Sequence, residues 1–220
     1  MNRKPYILAI DSATSVLRVG LSLPSGEVDS VENKDRFRHA EFIFGLIDKV
    51  LKKNNVEKSH LTGIVASTGP GSFTGLRVGL ASAKALAISL KLPLVGISTF
   101  SSIADKLFKQ FGKTAVLIPS RRDEYYYAVI DSPQFDNGNI KVLKMADIKT
   151  LREKGNIMAI DFDLQKLNLS GFKIIGRSEF PPKIDDLITA GKKRLDTSGG
   201  DDISHLEPLY IQTFPAIARK

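Results

Sequence analysis

Apolar positions in the first hundred residues alternate between strand-like runs and helical stripes. Tyr6-Ile7-Leu8-Ala9-Ile10 is a continuous apolar run closed by Asp11, the pattern of a buried strand. Leu17, Val19, Leu21 and Leu23 alternate with Arg18, Gly20 and Ser22, so a second strand has one buried face. Pro24-Ser25-Gly26 makes a turn, and Glu27 to Asn33 reads as a third, more exposed strand. The chain therefore opens as an antiparallel meander. A helix over His39–Lys53 follows. Strand Gly63–Ser67, helix Thr74–Lys91 and strand Leu94–Ile97 then form a β-α-β unit. Hairpins followed by a parallel crossover predict a mixed sheet flanked by helices, an α/β fold.

The second half is patterned more weakly. Ile103, Leu107 and Phe111 line one face of a helix over Ser101–Phe111. Ala115–Pro119 and Tyr125–Ile130 read as a strand pair around Arg121-Arg122-Asp123-Glu124. Lys141–Lys144, Ile157–Ile160 and Lys173–Ile175 are further short strands, with a helix over 147–154. Gly199-Gly200, followed by Asp201-Asp202, reads as a loop.

Both helices of the first half are more apolar than one buried face requires. In His39–Lys53, Ala40, Phe44, Ile47 and Leu51 make one stripe and Phe42, Ile43, Leu46 and Val50 a second. In Thr74–Lys91 the small residues Gly75, Gly79, Ala83 and Ala87 recur every four positions, beside Leu76, Leu80 and Leu90. A mid-helix glycine costs about 0.5–1 kcal/mol relative to alanine, so Gly79 needs a packing reason. Two readings stay open: the helices pair only with each other, or they also meet a partner chain. On the second, the candidate interface is Phe42, Ile43, Leu46, Val50, Leu76, Gly79, Leu80, Ala83 and Ala87.

Composition narrows the classes. Hydrophobic residues make up 42% of the chain and charged residues 25%, as in an ordinary globular protein. There is no cysteine, which excludes disulfides, thiolate metal sites and cysteine nucleophiles and suits a cytoplasmic protein. No signal peptide and no membrane span are expected. The net charge of +8 permits contact with RNA, but there is no arginine-rich run or aromatic-basic ladder to specify it.

Candidate chemistry concentrates at Gly69–Lys84, GPGSFTGLRVGLASAK. A strand, a glycine-rich turn and a helix in that order can present N–H groups to an anion. Yet no lysine follows Gly75, as a P-loop needs, and the third glycine is one place late for a dinucleotide fingerprint. Asp11-Ser12-Ala13-Thr14 between the first two strands combines small residues with hydroxyls, another way to approach a phosphate. Asp11, Ser12, Thr14, Gly69, Gly71 and Ser72 are therefore candidate, vestigial phosphate ligands. His39 has Ile43 four residues on, so no H-x-x-x-H metal pair exists, and His60 and His205 lie in unrelated contexts. Ser72 has no G-x-S-x-G elbow, which leaves a peptidase reading without a nucleophile. No catalytic residue and no metal ligand is assigned.

I-D-S-A-T near the start, R-H-A-E at the first helix and G-P-G-S-F-T-G-L-R resemble the bacterial TsaB (YeaZ) family. Ile118–Ala128 and Pro208–Ile211 resemble its later landmarks. The resemblance implies an actin/Hsp70-like (ASKHA) fold of two related domains, 1–104 and 105–220, the second reduced. It implies a non-catalytic scaffold in making N6-threonylcarbamoyladenosine at position 37 of ANN-decoding tRNAs. The catalytic paralogue TsaD would be the partner, with the ATPase TsaE in a ternary complex and a homodimer when TsaD is absent. Contact with tRNA would be indirect or weak. No tightly bound cofactor is implied, with ADP or ATP admitted at a subunit interface. The runner-up is a weak ASKHA ATPase using Asp11, Ser12 and the turn at Gly69–Gly75.

Overall fold

Each half of the chain contributes one mixed five-stranded sheet. The computed structural model describes residues 5–35, 38–151, 155–164 and 169–211. The first half runs β1 (Tyr6–Asp11), β2 (Leu17–Ser22), β3 (Val28–Asn33), α1 (His39–Lys53), β4 (Leu61–Gly69), α2 (Phe73–Leu90), β5 (Leu94–Ser98) and α3 (Thr99–Phe111). The second runs β6 (Thr114–Pro119), β7 (Glu124–Ile130), β8 (Lys141–Lys144), α4 (Met145–Lys149), β9 (Asn156–Ala159), β10 (Lys173–Ile175) and α5 (Ile184–Ser198).

The sheet orders are β3-β2-β1-β4-β5 and β10-β9-β6-β7-β8. Read from opposite edges they are one arrangement. In each, a three-strand antiparallel meander has its first strand at the centre, and two parallel strands are added beyond it. The second copy is reduced: α4 has 5 residues where α1 has 15. The link 160–172 between β9 and β10 is too short to hold a counterpart of the 18-residue α2. Of the helix predicted over 147–154, positions 152–154 lie outside the described residues, and α4 ends at Lys149.

Helix boundaries follow local chemistry. Ser72 caps α2 by accepting from the N–H of Gly75 at 3.2 Å, and Lys91 closes it in a left-handed conformation, φ 54°. Ser98 caps α3 through the N–H of Ser101 at 3.0 Å, so α3 begins two residues before the predicted Ser101.

One side of the first sheet packs on α1 and α2, with Leu8, Ile10, Leu17, Ile64, Ile43, Ile47 and Leu80 among the buried side chains. The other side is covered by α5, whose Ile184, Leu187 and Ile188 pack on Ile7, Ala9, Val65, Val95 and Ile97. Each of those α5 side chains contributes about 1.5–3 kcal/mol by leaving water. The helix α5 was not predicted, although Ile184, Leu187, Ile188 and Gly191 follow helical spacing. Gly199 is its C-cap, consistent with the expected loop there. Conversely α3, from the first half, covers the second sheet, where Phe100, Ile103 and Leu107 meet Val116, Ile118 and Ile130. Since α3 and α5 also pack together, the sheets share a two-helix layer.

By length and composition α2 could cross a membrane. Here α2 is a core helix: Gly75, Leu76, Gly79, Leu80, Ser82, Ala83, Leu86 and Ala87 are buried. After α5, the segment 199–211 runs along the open edge of β5. The N–H of Asp201 donates to Leu94 O, its carboxylate accepts from Gly96 N, and the N–H of Leu209 donates to Thr68 O, each at 2.8 Å. Part of the β5 edge of the first sheet is thereby covered.

Candidate functional site

The β1–β2 turn and the β4–α2 turn face the second sheet across a cleft. One cavity there, about 390 Å³, is lined by Ala13, Gly71, Phe73, Arg121, Tyr126 and Tyr210 among others. A second, about 500 Å³, is lined by Thr14, Ser15, His39, Thr74 and Val78 among others. Ser72, Phe73 and Asp161 wall both.

The predicted phosphate ligands come together at these turns, where several backbone N–H groups are already engaged inside the chain, while the Ser12 hydroxyl is buried without a hydrogen-bond partner. Ser12 N–H donates to Ser67 Oγ at 3.1 Å, and Ala13 N–H to Asp11 Oδ1 at 3.1 Å. Ser15 N–H donates to Asp161 Oδ2 at 3.0 Å, and Val16 N–H to Thr14 Oγ1 at 3.3 Å. Asp11 also faces Arg18 at 3.8 Å. Ser72 N–H donates to Ala13 O at 2.7 Å while its hydroxyl caps α2. A hydrogen-bond donor spent on a protein acceptor is not offered to a ligand without breaking that bond.

The glycines of the motif have a packing reason. A Cβ on Gly71 would lie 2.1 Å from Ala13 O, and one on Gly75 2.3 Å from Ser12 O. A Cβ on Gly79 would lie 2.0 Å from Ser12 Oγ. Gly71 and Gly75 thus make room for the backbone of the β1–β2 turn and Gly79 for the Ser12 side chain, where that turn lies against the start of α2. Gly69 has its own reason, a φ of 92°.

His39 is buried, and its Nε2 lies 3.1 Å from Thr14 O. A carbonyl only accepts, so Nε2 carries the proton and the ring pins the turn to the start of α1. Ile43, four residues on, is buried in the core. His60 stacks on Tyr6, and His205 faces Asp202 at 2.7 Å. Among the described residues no three His, Asp or Glu side chains gather as a metal site.

The nine residues proposed from the stripes as a partner surface turn out to serve the fold. Ile43, Leu46, Val50, Leu76, Gly79, Leu80, Ala83 and Ala87 are buried within this chain. Phe42 is half-buried under the Arg38 guanidinium, 5.0 Å from its ring. The correction has a simple cause: the sheet takes the face at Ile43, Leu46, Ile47 and Val50 and turns Ala40 and Phe44 outward. The solvent faces carry Phe44, 50% exposed, on α1 and Ile88, 64% exposed, on α2, with Ala81 and Ala85 also exposed. Two residues at the cleft, Ser15 and Asp161, were not among the candidate ligands. Their contact joins positions with no local pattern between them.

A duplicated mixed sheet, with shared helices and with turns converging on a cleft, defines an α/β protein of the actin/Hsp70-like class. The profile of the family TsaD, tRNA N6-adenosine threonylcarbamoyltransferase, matches residues 34–174. The Escherichia coli (strain K12) protein named tRNA threonylcarbamoyladenosine biosynthesis protein TsaB is 33% identical over 124 residues, 56% of this chain and 53% of that protein. The Haemophilus influenzae TsaB is 30% identical over 126 residues, 56% of this chain and 53% of that protein. The matched part thus spans about half the length of these curated relatives. The solved YeaZ of Pseudomonas aeruginosa superposes with a TM-score of 0.74 at 19% identity, over 94% of this chain and 100% of that one. The chain belongs to the TsaD family, on its TsaB (YeaZ) branch.

Proposed function

We propose that this chain works in tRNA threonylcarbamoyladenosine biosynthesis as a non-catalytic docking subunit. It would hold a catalytic TsaD-type protein of the same family through the outer faces of α1 and α2. The names of its TsaB relatives support the pathway. The observation that carries the docking role is the pair of exposed apolar side chains Phe44 and Ile88 on adjacent helices of the first sheet. Large apolar residues on a rigid helical face are what an interface core uses. The same face would accept a second copy of this chain when the partner is missing. TsaE would join as a third component, and tRNA would be met chiefly by the partner.

The experiment is reconstitution of threonylcarbamoyl transfer to tRNA by TsaD and TsaE, with and without this chain. Transfer should require the chain and should fall when Phe44→Glu and Ile88→Glu are combined, with co-purification of TsaD lost in parallel. Equal transfer without the chain would remove the pathway role. Normal transfer and co-purification by the folded double variant would remove the docking face.

A further inference from the structure

The donors of the β1–β2 turn meet an unexpected partner at Ser15. Its N–H donates to Asp161 Oδ2 at 3.0 Å, and its hydroxyl donates to Asp161 Oδ1. One carboxylate is thus gripped by a backbone N–H and a side-chain hydroxyl of the same residue, as a phosphoryl group would be. Asp161 belongs to the other sheet, just beyond β9, 146 residues away in sequence. Its φ is 71°, a conformation that few residues other than glycine adopt. In the first copy of the sheet the corresponding corner, at the end of β4, is Gly69 with φ 92°. The second copy thus keeps the glycine-like backbone and adds a carboxylate, which the left-handed backbone presents to the turn. Aspartate enters this left-handed region more readily than most residues other than glycine, and here its carboxylate meets the turn at Ser15. Arg177, with its guanidinium 3.8 Å from Asp161 Oδ1, is a cationic neighbour on the same side of the cleft.

We infer that Asp161 is a built-in anion: its carboxylate occupies a phosphate-accepting position on the β1–β2 turn and latches the two sheets together. Asp161, with Ser72 and Phe73, lines both of the spaces of about 390 and 500 Å³ beside this turn. The chain therefore carries its own occupant for the turn, and phosphate-bearing ligands are excluded until the latch opens. The inference is independent of the docking role.

Asp161→Gly is the informative variant, because glycine adopts a φ of 71° freely and removes only the carboxylate. Two measurements are made on folded wild type and variant: amide exchange at Ser15, and titration of the Ser15 amide resonance with inorganic pyrophosphate and, separately, with ATP. The variant should exchange at least about tenfold faster and bind pyrophosphate at least about tenfold more tightly than wild type, the loss expected for a hydrogen bond to a charged group. ATP should bind comparably, since phosphate oxygens are the recognised chemistry. Unchanged exchange, or faster exchange with no gain for pyrophosphate, would overturn the inference, as would binding of ATP but not pyrophosphate. Asp161→Asn keeps the size and one acceptor. It should show both changes at smaller amplitude, and it carries the test if the glycine variant does not fold.

Discussion

Gly79 of α2 lies directly under Ser12 of the β1–β2 turn: a Cβ on Gly79 would meet Ser12 Oγ at 2.0 Å and Ser12 Cβ at 2.8 Å. Gly79→Ala should therefore destabilise the fold although alanine is the better helix former. The helix gain is about 0.5–1 kcal/mol, against about 1–3 kcal/mol for overpacking. Urea unfolding should show a net loss of about 1–2 kcal/mol. Adding Ser12→Gly should recover most of it relative to Ser12→Gly alone. An alanine variant as stable as wild type would mean the turn does not lie on the helix as described.

The Ser12 hydroxyl is buried and has no hydrogen-bond partner. Burying such a group without a partner costs about 1–3 kcal/mol, so Ser12→Ala should be neutral or stabilising, by up to about 1 kcal/mol. Chemical denaturation measures this directly. A clear loss of stability would show that the hydroxyl has a partner the static structure does not contain, and would reopen Ser12 as a polar ligand.

The strands of the first sheet and its two long helices are legible in the sequence because periodicity and caps agree. Ser72 and the residues up to Lys91 delimit α2 to within a residue at each end. Which stripe faces the sheet is not legible. Ile43 and Phe44 are adjacent and equally apolar, and only packing decides that Ile43 goes in and Phe44 out. Likewise Ala40 and Phe44 share a stripe with Ile47 and Leu51, yet the stripe is split between solvent and core. The glycine-rich turn is visible as a device, but its purpose needs the neighbouring turn at Ser12–Ala13, some sixty residues earlier in the chain. The helix α5 escapes notice because lysines, aspartates and threonines dilute its apolar stripe, and the sheet it covers is assembled by the other half of the chain.

Leu80 and Ile88 separate core from docking face on a single helix. Leu80 is 3% exposed within the α1–α2–sheet core, and Ile88 is 64% exposed. Leu80→Arg buries an unpaired charge and should unfold the first sheet, with loss of the near-UV circular dichroism signal and of soluble protein. Ile88→Arg should change stability by no more than about 0.5 kcal/mol while abolishing capture of a TsaD-type partner. A folded Leu80→Arg variant that merely failed to bind would place the interface on the inner face after all.

Asp186, at the start of α5, ties that helix to α3 through Lys106 Nζ at 3.0 Å. Burial raises its carboxyl above the ordinary value, opposed by the hydrogen bond and charge of Lys106 and by the N–H of Lys183, and reinforced by the neighbouring Asp185. The sign for stability follows from proton binding. Between the ordinary and the raised value the folded chain holds this proton more tightly than the unfolded chain does. Stability from this proton is fully present below the ordinary carboxylate value and is lost as pH rises through the raised one. Asp186→Asn has no such equilibrium but keeps an acceptor for Lys183. The stability of wild type minus that of Asp186→Asn should therefore shrink as pH rises from the ordinary carboxylate value through the raised one. Urea midpoints of both proteins measured across that range test it. A difference that stays flat or grows with pH would show that the Lys106 ion pair, not burial, governs this carboxylate.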